Sequence, residues 1–305
     1  MVKNLIIGGI SLLFLMWVLS ACQSDGKRKA SRGDKPKVAV SIPPQLFFLK
    51  NIAGDKVDYV CLLRNSADPE SFEPTPGQRM ELSGSDVYLP LGSLPFEMGL
   101  IKALQNEKNG PEIVEAGHGV EGLSGTHGHS HADHSDGHSH GDDHQEIDPH
   151  IWSSAKNAKV IALNTLNALI AVDSANEDYY RANYGRLEAR LDSIDRSFEK
   201  IFSEMPQRPS FIVWHPSLSY FAHDYGLTQV ALSDAGKEAS VKAVVDKLRR
   251  ADGSKAPVWF YQKEFDSGKA GLFASESGVK MVEINPMNEE WEDEMQKLYD
   301  AFTLD

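Results

Sequence analysis

The sequence predicts an α/β protein with two lobes, each a parallel sheet flanked by helices, joined by one long bridging helix. Three observations support this fold class: short apolar strands alternate with helices from Lys37 onward, the alternation restarts after Pro206, and a proline-free segment separates the two halves. Such alternation is typical of parallel sheets with helices on their faces. The 305 residues, 41% of them hydrophobic, suffice for two lobes of ordinary size.

Residues 1–22 have the composition of a lipoprotein signal peptide. Lys3 precedes an apolar run, Leu5–Leu19, that is shorter than a membrane span of about 20 residues. The sequence Leu-Ser-Ala-Cys then resembles the bacterial lipobox, so we expect Cys22 to be lipidated. Residues 23–36 are polar and predict a flexible tether. The second cysteine then has no partner, and we expect no internal disulfide.

The first lobe, residues 37–175, contains predicted strands, helices and one long loop. The apolar runs 37–42, 57–63, 86–92 and 111–117 predict strands. The segments 43–54, 77–85, 93–107 and 153–173 predict helices. Residues 118–147 form the loop, whose central run has a single apolar residue, Ala132. Such a run cannot offset the entropy of its own ordering by burial, so we expect this loop to be disordered.

Residues 176–205 predict one helix of about 30 residues, about 45 Å long. They contain no proline and one glycine. Seven apolar residues recur at spacings of four and three: Tyr180, Tyr184, Leu187, Leu191, Ile194, Phe198 and Ile201. A dimeric coiled coil is the alternative, but about three heptads barely suffice for one. The segment therefore favours a helix that lies along two lobes and joins them.

The second lobe, residues 206–305, repeats the alternation. Strands are predicted at 208–215 and 227–233, and helices at 216–226 and 240–253. The runs 256–262, 267–278, 279–285 and 288–302 complete a second α/β unit.

The formal net charge of −13 argues against nucleic acid as a partner, because that binding depends on Lys and Arg at phosphates. It suits a cationic solute, or a surface that only has to stay soluble. Two α/β lobes usually bind their ligand in the cleft between them, at the carboxyl ends of strands. Glu70 and Glu73 lie in a proline-rich loop after a predicted strand, His150 precedes a helix, and His215 ends a strand. Each alone is a weak signal, but imidazoles from both lobes with a carboxylate are ordinary ligands of zinc.

These residues occur in motifs that resemble a known family. The motifs are Asp148-Pro149-His150-Ile151-Trp152, His215-Pro216 followed by Tyr220-Phe221-Ala222, and Glu73-Pro74-Thr75-Pro76. In order and content they resemble the zinc- and manganese-binding lipoproteins of bacterial metal ABC importers, from about Lys37 to the C-terminus. The resemblance implies a metal held between the lobes and delivered to an ABC permease with its ATPase.

Carried over by position, His150 and His215 match two metal ligands of that family. Glu70 stands where the family usually has histidine, while Asn285 and Gln262 stand where it commonly has carboxylates. We therefore predict Glu70, His150 and His215 as ligands, completed by water or by a histidine of the loop. Zn²⁺ is the expected metal, with Mn²⁺ and Fe²⁺ as alternatives.

The role of Asp148 stays open between orienting an imidazole and capping the following helix. We expect His223, inside a predicted helix, to be a surface or packing residue. The loop histidines are expected to form weak, interchangeable zinc sites that empty as the medium acidifies. They are His127, His129, His131, His134, His138, His140 and His144. The alternative is a solvated polar insertion whose histidines bind nothing.

Two other functions remain on the sequence alone. A membrane-tethered zinc hydrolase could use Glu73 as its base, but the chain has neither an HExxH nor a GxSxG motif. A zinc storage or chaperone protein without a transporter would share every ligand. We expect an exported monomer that is no enzyme, lipid-anchored outside the cytoplasmic membrane or periplasmic.

Overall fold

The computed structural model of the chain describes residues 35–64, 68–124, 147–231, 258–262 and 279–304. The predicted signal peptide, residues 23–34 of the tether, the seven loop histidines, helix 240–253 and the run 267–278 lie outside these residues. The predicted fold class is confirmed: two separate sheets of parallel strands are flanked by helices, and one long helix packs against both lobes.

The first sheet has the strand order β2-β1-β3-β4. Its strands are β1 (Lys37–Val40), β2 (Asp58–Cys61), β3 (Val87–Leu89) and β4 (Glu112–Ile113). The first lobe's helices are α1 (Pro43–Ala53), α2 (Pro76–Ser83), α3 (Pro95–Leu104) and α4 (Ala155–Val172), with a 3-10 turn at Ile151–Ser153. Three of these helices begin at a proline. Proline suits the first helical position because an N–H there has no acceptor within the helix, so its absence costs no hydrogen bond. All the predicted strands and helices of this lobe are present and span fewer residues than predicted, although α2 begins one residue earlier, at Pro76.

The long helix α5 spans Glu177–Glu204, close to the predicted 176–205, and its 28 residues are about 42 Å long. Its first half packs against α1 and α4, where Asn183 Nδ2 donates to the Ile52 carbonyl (2.8 Å). Its second half packs against aromatic side chains of the second lobe. No single helix among the described residues is long and apolar enough to cross a membrane; only α4 with Ser174–Glu204, bent by 116°, passes as a pair.

The second sheet has the order β6-β5-β7-β8, and again all neighbouring strands are parallel. Its strands are β5 (Ser210–Val213), β6 (Thr228–Ala231), β7 (Val258–Tyr261) and β8 (Lys280–Glu283). The described helices of this lobe are α6 (Ser219–Tyr225) and α7 (Trp291–Thr303). In both sheets the strand order reverses beside the first strand, which is where α/β sheets usually bind ligands.

Two tryptophans, Trp152 and Trp291, form hydrogen bonds between the lobes. Trp152 Nε1 donates to the Pro286 carbonyl (2.8 Å), and Trp291 Nε1 donates to the Trp152 carbonyl (2.7 Å). Both rings are buried, and Trp291 also contacts Phe47 and Phe48 of α1. Because the segment after His150 is tied to the second lobe in this way, residues of the two lobes can meet in a fixed geometry.

Candidate metal centre

Three side chains predicted as metal ligands meet between the lobes. Glu70 lies between β2 and α2, His150 lies just before the 3-10 turn, and His215 follows β5. His215 Nε2 is 3.3 Å from His150 Nε2 and 3.3 Å from Glu70 Oε1, and the third edge, from Glu70 Oε1 to His150 Nε2, is 3.7 Å. Within the described ranges, no other group of three or more His, Cys, Asp or Glu side chains has its ligand atoms within 4.8 Å of one another.

These distances suit a small ion held by all three atoms. Bonds of about 2.0–2.1 Å at tetrahedral angles place the ligand atoms of zinc about 3.3 Å apart. Both contacts of His215 Nε2 have this length, and only the edge between Glu70 and His150 is longer. Two imidazole nitrogens and one carboxylate oxygen could therefore occupy three corners of a tetrahedral site.

Local hydrogen bonds fix the backbone of the segments that carry Glu70 and His215. Asp68 accepts from the Glu70 backbone N–H (3.0 Å) and from the Ser71 hydroxyl (2.8 Å), which forms an Asx turn at the first ligand. The Ser217 N–H donates to the His215 carbonyl (2.7 Å) directly after β5. These turns fix the backbone from which the ligand side chains project.

Asp148 orients the His150 ring. Its Oδ1 accepts from His150 Nδ1 and from the His150 backbone N–H, both at 2.9 Å, and both side chains are buried. Burial by itself raises the pKa of Asp148, but the hydrogen bonds and charge of His150 outweigh it and lower this pKa below its usual value. The carboxylate therefore favours a proton on Nδ1, which leaves the Nε2 lone pair available on the side of Glu70 and His215. The helix cap is Ser154, whose hydroxyl accepts from Lys156 N and Asn157 N, so the capping role of Asp148 is not observed.

We expect Asp148→Asn to weaken zinc binding about 10- to 100-fold, because a neutral amide no longer stabilises the ligating tautomer of His150. Competition with a chromogenic chelator measures the affinity. Asp192→Asn is the matched control, since Asp192 pairs with Lys159 (3.1 Å) away from the three ligands. Equal affinities for both variants would show that Asp148 does not tune His150.

His215 is partly exposed and faces Glu70. Burial lowers the pKa of His215, but the hydrogen bond and negative charge of Glu70 outweigh burial and raise this pKa above its ordinary value of 6.5. The metal-free protein therefore keeps a proton on His215 at pH values where a free histidine has lost it. A metal ion at this group must displace that proton.

We expect the zinc affinity to fall as the pH decreases, starting above pH 6.5, because protons then compete at His215. Glu70→Gln should shift the His215 titration of the metal-free protein to lower pH, since the raising charge is gone. An NMR titration of the imidazole measures this shift, and Glu73→Gln is the exposed control. An unchanged midpoint in Glu70→Gln would contradict the assigned cause.

Other sequence candidates do not join the three ligands. Glu73 is 82% exposed and lies 3.9 Å from Arg79, which leaves it no role as a buried base. Asn285 Oδ1 accepts from the Met287 N–H (3.0 Å), and Gln262 Nε2 donates to the Ser217 hydroxyl (3.2 Å). His223 is exposed beside Asp224, as expected of a surface residue.

Sequence reasoning missed the side chains that support the ligand loops. Ser93 Oγ donates to the Pro149 carbonyl (2.8 Å), next to His150. Glu97, fully buried, accepts from the backbone N–H groups of Leu91 (2.8 Å), Gly92 (2.7 Å) and Leu94 (3.3 Å), which surround Ser93. A proline followed two residues later by glutamate indicates the start of a helix, and Pro95 with Glu97 shows this pattern. The pattern could have identified Glu97 as a capping residue, but it could not show that its side chain is buried.

Comparisons with known proteins match nearly all of the chain after its first 37 residues. Residues 38–303 match the family model described as zinc-uptake complex component A, periplasmic (ZnuA). The high-affinity zinc uptake system protein ZnuA of Bacillus subtilis (strain 168) is 28% identical over 283 residues, which cover 91% of this chain and 86% of that protein. The manganese ABC transporter substrate-binding lipoprotein PsaA of Streptococcus anginosus is 26% identical over 272 residues, 85% of this chain and 82% of the relative.

A solved structure shows that the fold of this chain is also similar to that of a member of this family. A crystal structure of ZnuA superposes with a TM-score of 0.71 at 28% sequence identity, covering 88% of this chain and 100% of that chain. The similarity thus extends over both lobes and over the segments that carry Glu70, His150 and His215.

Proposed function

Because the chain belongs to the zinc-uptake complex component A family, we propose that it captures Zn²⁺ outside the cytoplasm and delivers it to an ABC permease for import. The family consists of solute-binding components of metal transporters, not of enzymes. Its members work with a membrane permease and an ATPase. The relatives named above are described as zinc and as manganese proteins, so the family by itself leaves the choice between these metals open.

The observation that carries the proposal is the convergence of Glu70, His150 and His215 at edges of 3.3, 3.3 and 3.7 Å. Two nitrogen ligands and one oxygen ligand at nearly tetrahedral spacing favour Zn²⁺ over Mn²⁺, which prefers oxygen-rich octahedral sites. Mn²⁺ and Fe²⁺ are the competitors to include in any test. The carboxylate of Glu70 neutralises one charge of the ion, and water or a loop histidine supplies the fourth ligand.

The loop between Ser124 and Ile147 has a function separate from that of the tight site. Its seven histidines offer many weak sites, which collect zinc near the tight site at low concentrations. Neutral imidazoles bind zinc, and with an unperturbed pKa of about 6.5 they hold it less well as the pH falls. The loop is thus a collector and not the source of the tight site.

Calorimetric zinc titration of two chains tests this division. The full chain should show one tight site and several weak ones, and a chain with residues 125–146 replaced by a short Gly-Ser linker should keep only the tight site. Loss of the tight site with the loop would overturn the assignment to Glu70, His150 and His215. Parallel titrations with Mn²⁺ and Fe²⁺ test the choice of metal, and tighter binding of either ion would overturn zinc as the cargo.

The predicted lipid on Cys22 would keep the protein on the outer side of the membrane, next to its permease. We propose that it works there as a monomer. Membrane fractionation of the full chain and of Cys22→Ser tests the anchor. The full chain should remain in the membrane fraction, and Cys22→Ser should appear in the soluble fraction. Light scattering of the soluble variant, with and without zinc, tests the oligomeric state.

A further inference from the structure

The neck of the histidine-rich loop consists of the segments Leu123–Ser124 and Ile147–Asp148. Ser124 and Ile147 form an antiparallel bridge, and the Asp148 N–H donates to the Leu123 carbonyl (2.9 Å). The two segments are packed closely at Gly122, where an added Cβ would lie 3.0 Å from Ile147 Cγ2. Both ends of the loop therefore leave the first lobe at one point, next to the residue that orients His150.

A tyrosine of the second lobe bonds both segments of this neck. The Tyr220 hydroxyl, on α6, donates to the Asp148 carbonyl (2.9 Å) and accepts from the Leu123 N–H (3.2 Å). The residue is only 2% exposed, so water competes little for these two bonds. One hydroxyl thus links the second lobe to each segment of the neck.

Asp148 connects this hydroxyl to the metal centre. Its carbonyl accepts from Tyr220, while its carboxylate accepts from His150 N and Nδ1. Any shift of the Asp148 backbone must therefore move the carboxylate that aims His150 Nε2 at His215. His215 lies five residues before Tyr220 in the same lobe. The hydrogen bond from Tyr220 to Asp148 therefore connects the segment that carries His215 to the segment that carries His150.

We propose that Tyr220 is a positioning residue for the metal centre, which sets Asp148, and through it His150, while it closes the neck of the loop. The proposal rests on the proposed function of Glu70, His150 and His215 as metal ligands. It assigns Tyr220 no contact with the metal. Its effect on binding is therefore smaller than that of a ligand and depends on the hydroxyl rather than on the ring.

Tyr220→Phe is the test variant, because it removes the hydroxyl and keeps the buried ring. Tyr225→Phe is the matched control: Tyr225 is also buried on α6, and its hydroxyl donates to Asp195 (3.0 Å), away from the neck. Both changes are made in the full chain and in the chain with residues 125–146 replaced by a linker. Zinc affinity and the visible absorption of bound Co²⁺ are then measured for each protein.

We expect Tyr220→Phe to lower the zinc affinity about 3- to 10-fold, the value of one hydrogen bond, in both chains. The Co²⁺ spectrum should change in the same variant, since the ligand geometry changes. Tyr225→Phe should leave affinity and spectrum as in the unaltered protein. Equal effects of both variants would reduce Tyr220 to a packing residue, and an unchanged affinity and spectrum in Tyr220→Phe would also overturn the proposal.

Hydrogen exchange of the metal-free protein separates this proposal from the proposed function. Tyr220→Phe should accelerate exchange at the Leu123, Asp148 and His150 amides, and Tyr225→Phe should not. If the unaltered protein bound no metal tightly, the proposed function would fail while the exchange result still decided whether Tyr220 positions His150. Unchanged exchange at these three amides would overturn the positioning role.

Discussion

His150→Ala and His215→Ala are each expected to lower the zinc affinity of the tight site by more than about 100-fold, beyond the loss typical of residues that only support a ligand. Each change removes one of the two nitrogen ligands that we propose among the described residues. His150→Ala has a second cost, because the buried carboxylate of Asp148 loses the hydrogen bond from the imidazole ring, while the backbone N–H of residue 150 can still donate to it. Glu70→Ala should cost less, because Glu70 is partly exposed and water can replace its oxygen.

The measurement is best made in the chain that lacks residues 125–146, where weak loop sites cannot mask the loss. His223→Ala is the matched control, because this histidine is 65% exposed and pairs only with Asp224 among the described residues. It should bind zinc like the unaltered chain. Unchanged tight binding in either His150→Ala or His215→Ala would remove that histidine from the site.

Glu97→Ala is expected to lower the free energy of unfolding by about 3 kcal/mol or more, because several buried donors lose their acceptor at once. The Glu97 carboxylate accepts from three backbone N–H groups and from the Ser41 hydroxyl, to which Tyr88 donates in turn. Since the loop around Ser93 also supports Pro149, zinc binding should weaken in the same variant. Denaturant unfolding of metal-free protein measures the stability, with Glu107→Ala as the exposed control.

The same glutamate gives a pH dependence with a defined sign. Burial raises the pKa of Glu97 from 4.5 to about 7, although the hydrogen bonds from Ser41 and the three N–H groups oppose the rise. The folded protein therefore binds this proton more tightly than the unfolded chain does. The stability that comes from this more tightly bound proton is fully present below pH 4.5 and is lost as the pH rises through about 7. Glu97→Gln should abolish this component, and an identical pH profile in that variant would contradict it.

The long helix shows how far periodicity alone could predict the fold. Its bounds were predicted to within one residue at each end, and Tyr180, Leu187, Leu191 and Phe198 are buried as the spacing suggested. Yet Tyr184, Ile194 and Ile201 are only partly buried, and Asn183, Asp195 and Phe202 lie on the buried face instead. The reason is that two lobes pack along different parts of the helix, and buried partners satisfy its polar groups, such as Asp195 with Lys159 and Tyr225.

The sequence by itself determined the two α/β lobes and the bridging helix, and it supplied the candidate metal ligands. Strand and helix periodicity is local, and the chemistry of His150, His215 and Glu70 is a property of the side chains themselves. Only the tertiary structure showed how closely Glu70 and the two histidines approach, that Asp148 bonds the His150 ring, and that Tyr220 and Glu97 bond the backbone near these residues. These relations join residues far apart in the chain, and their distances depend on how the lobes pack against each other and not on any local pattern.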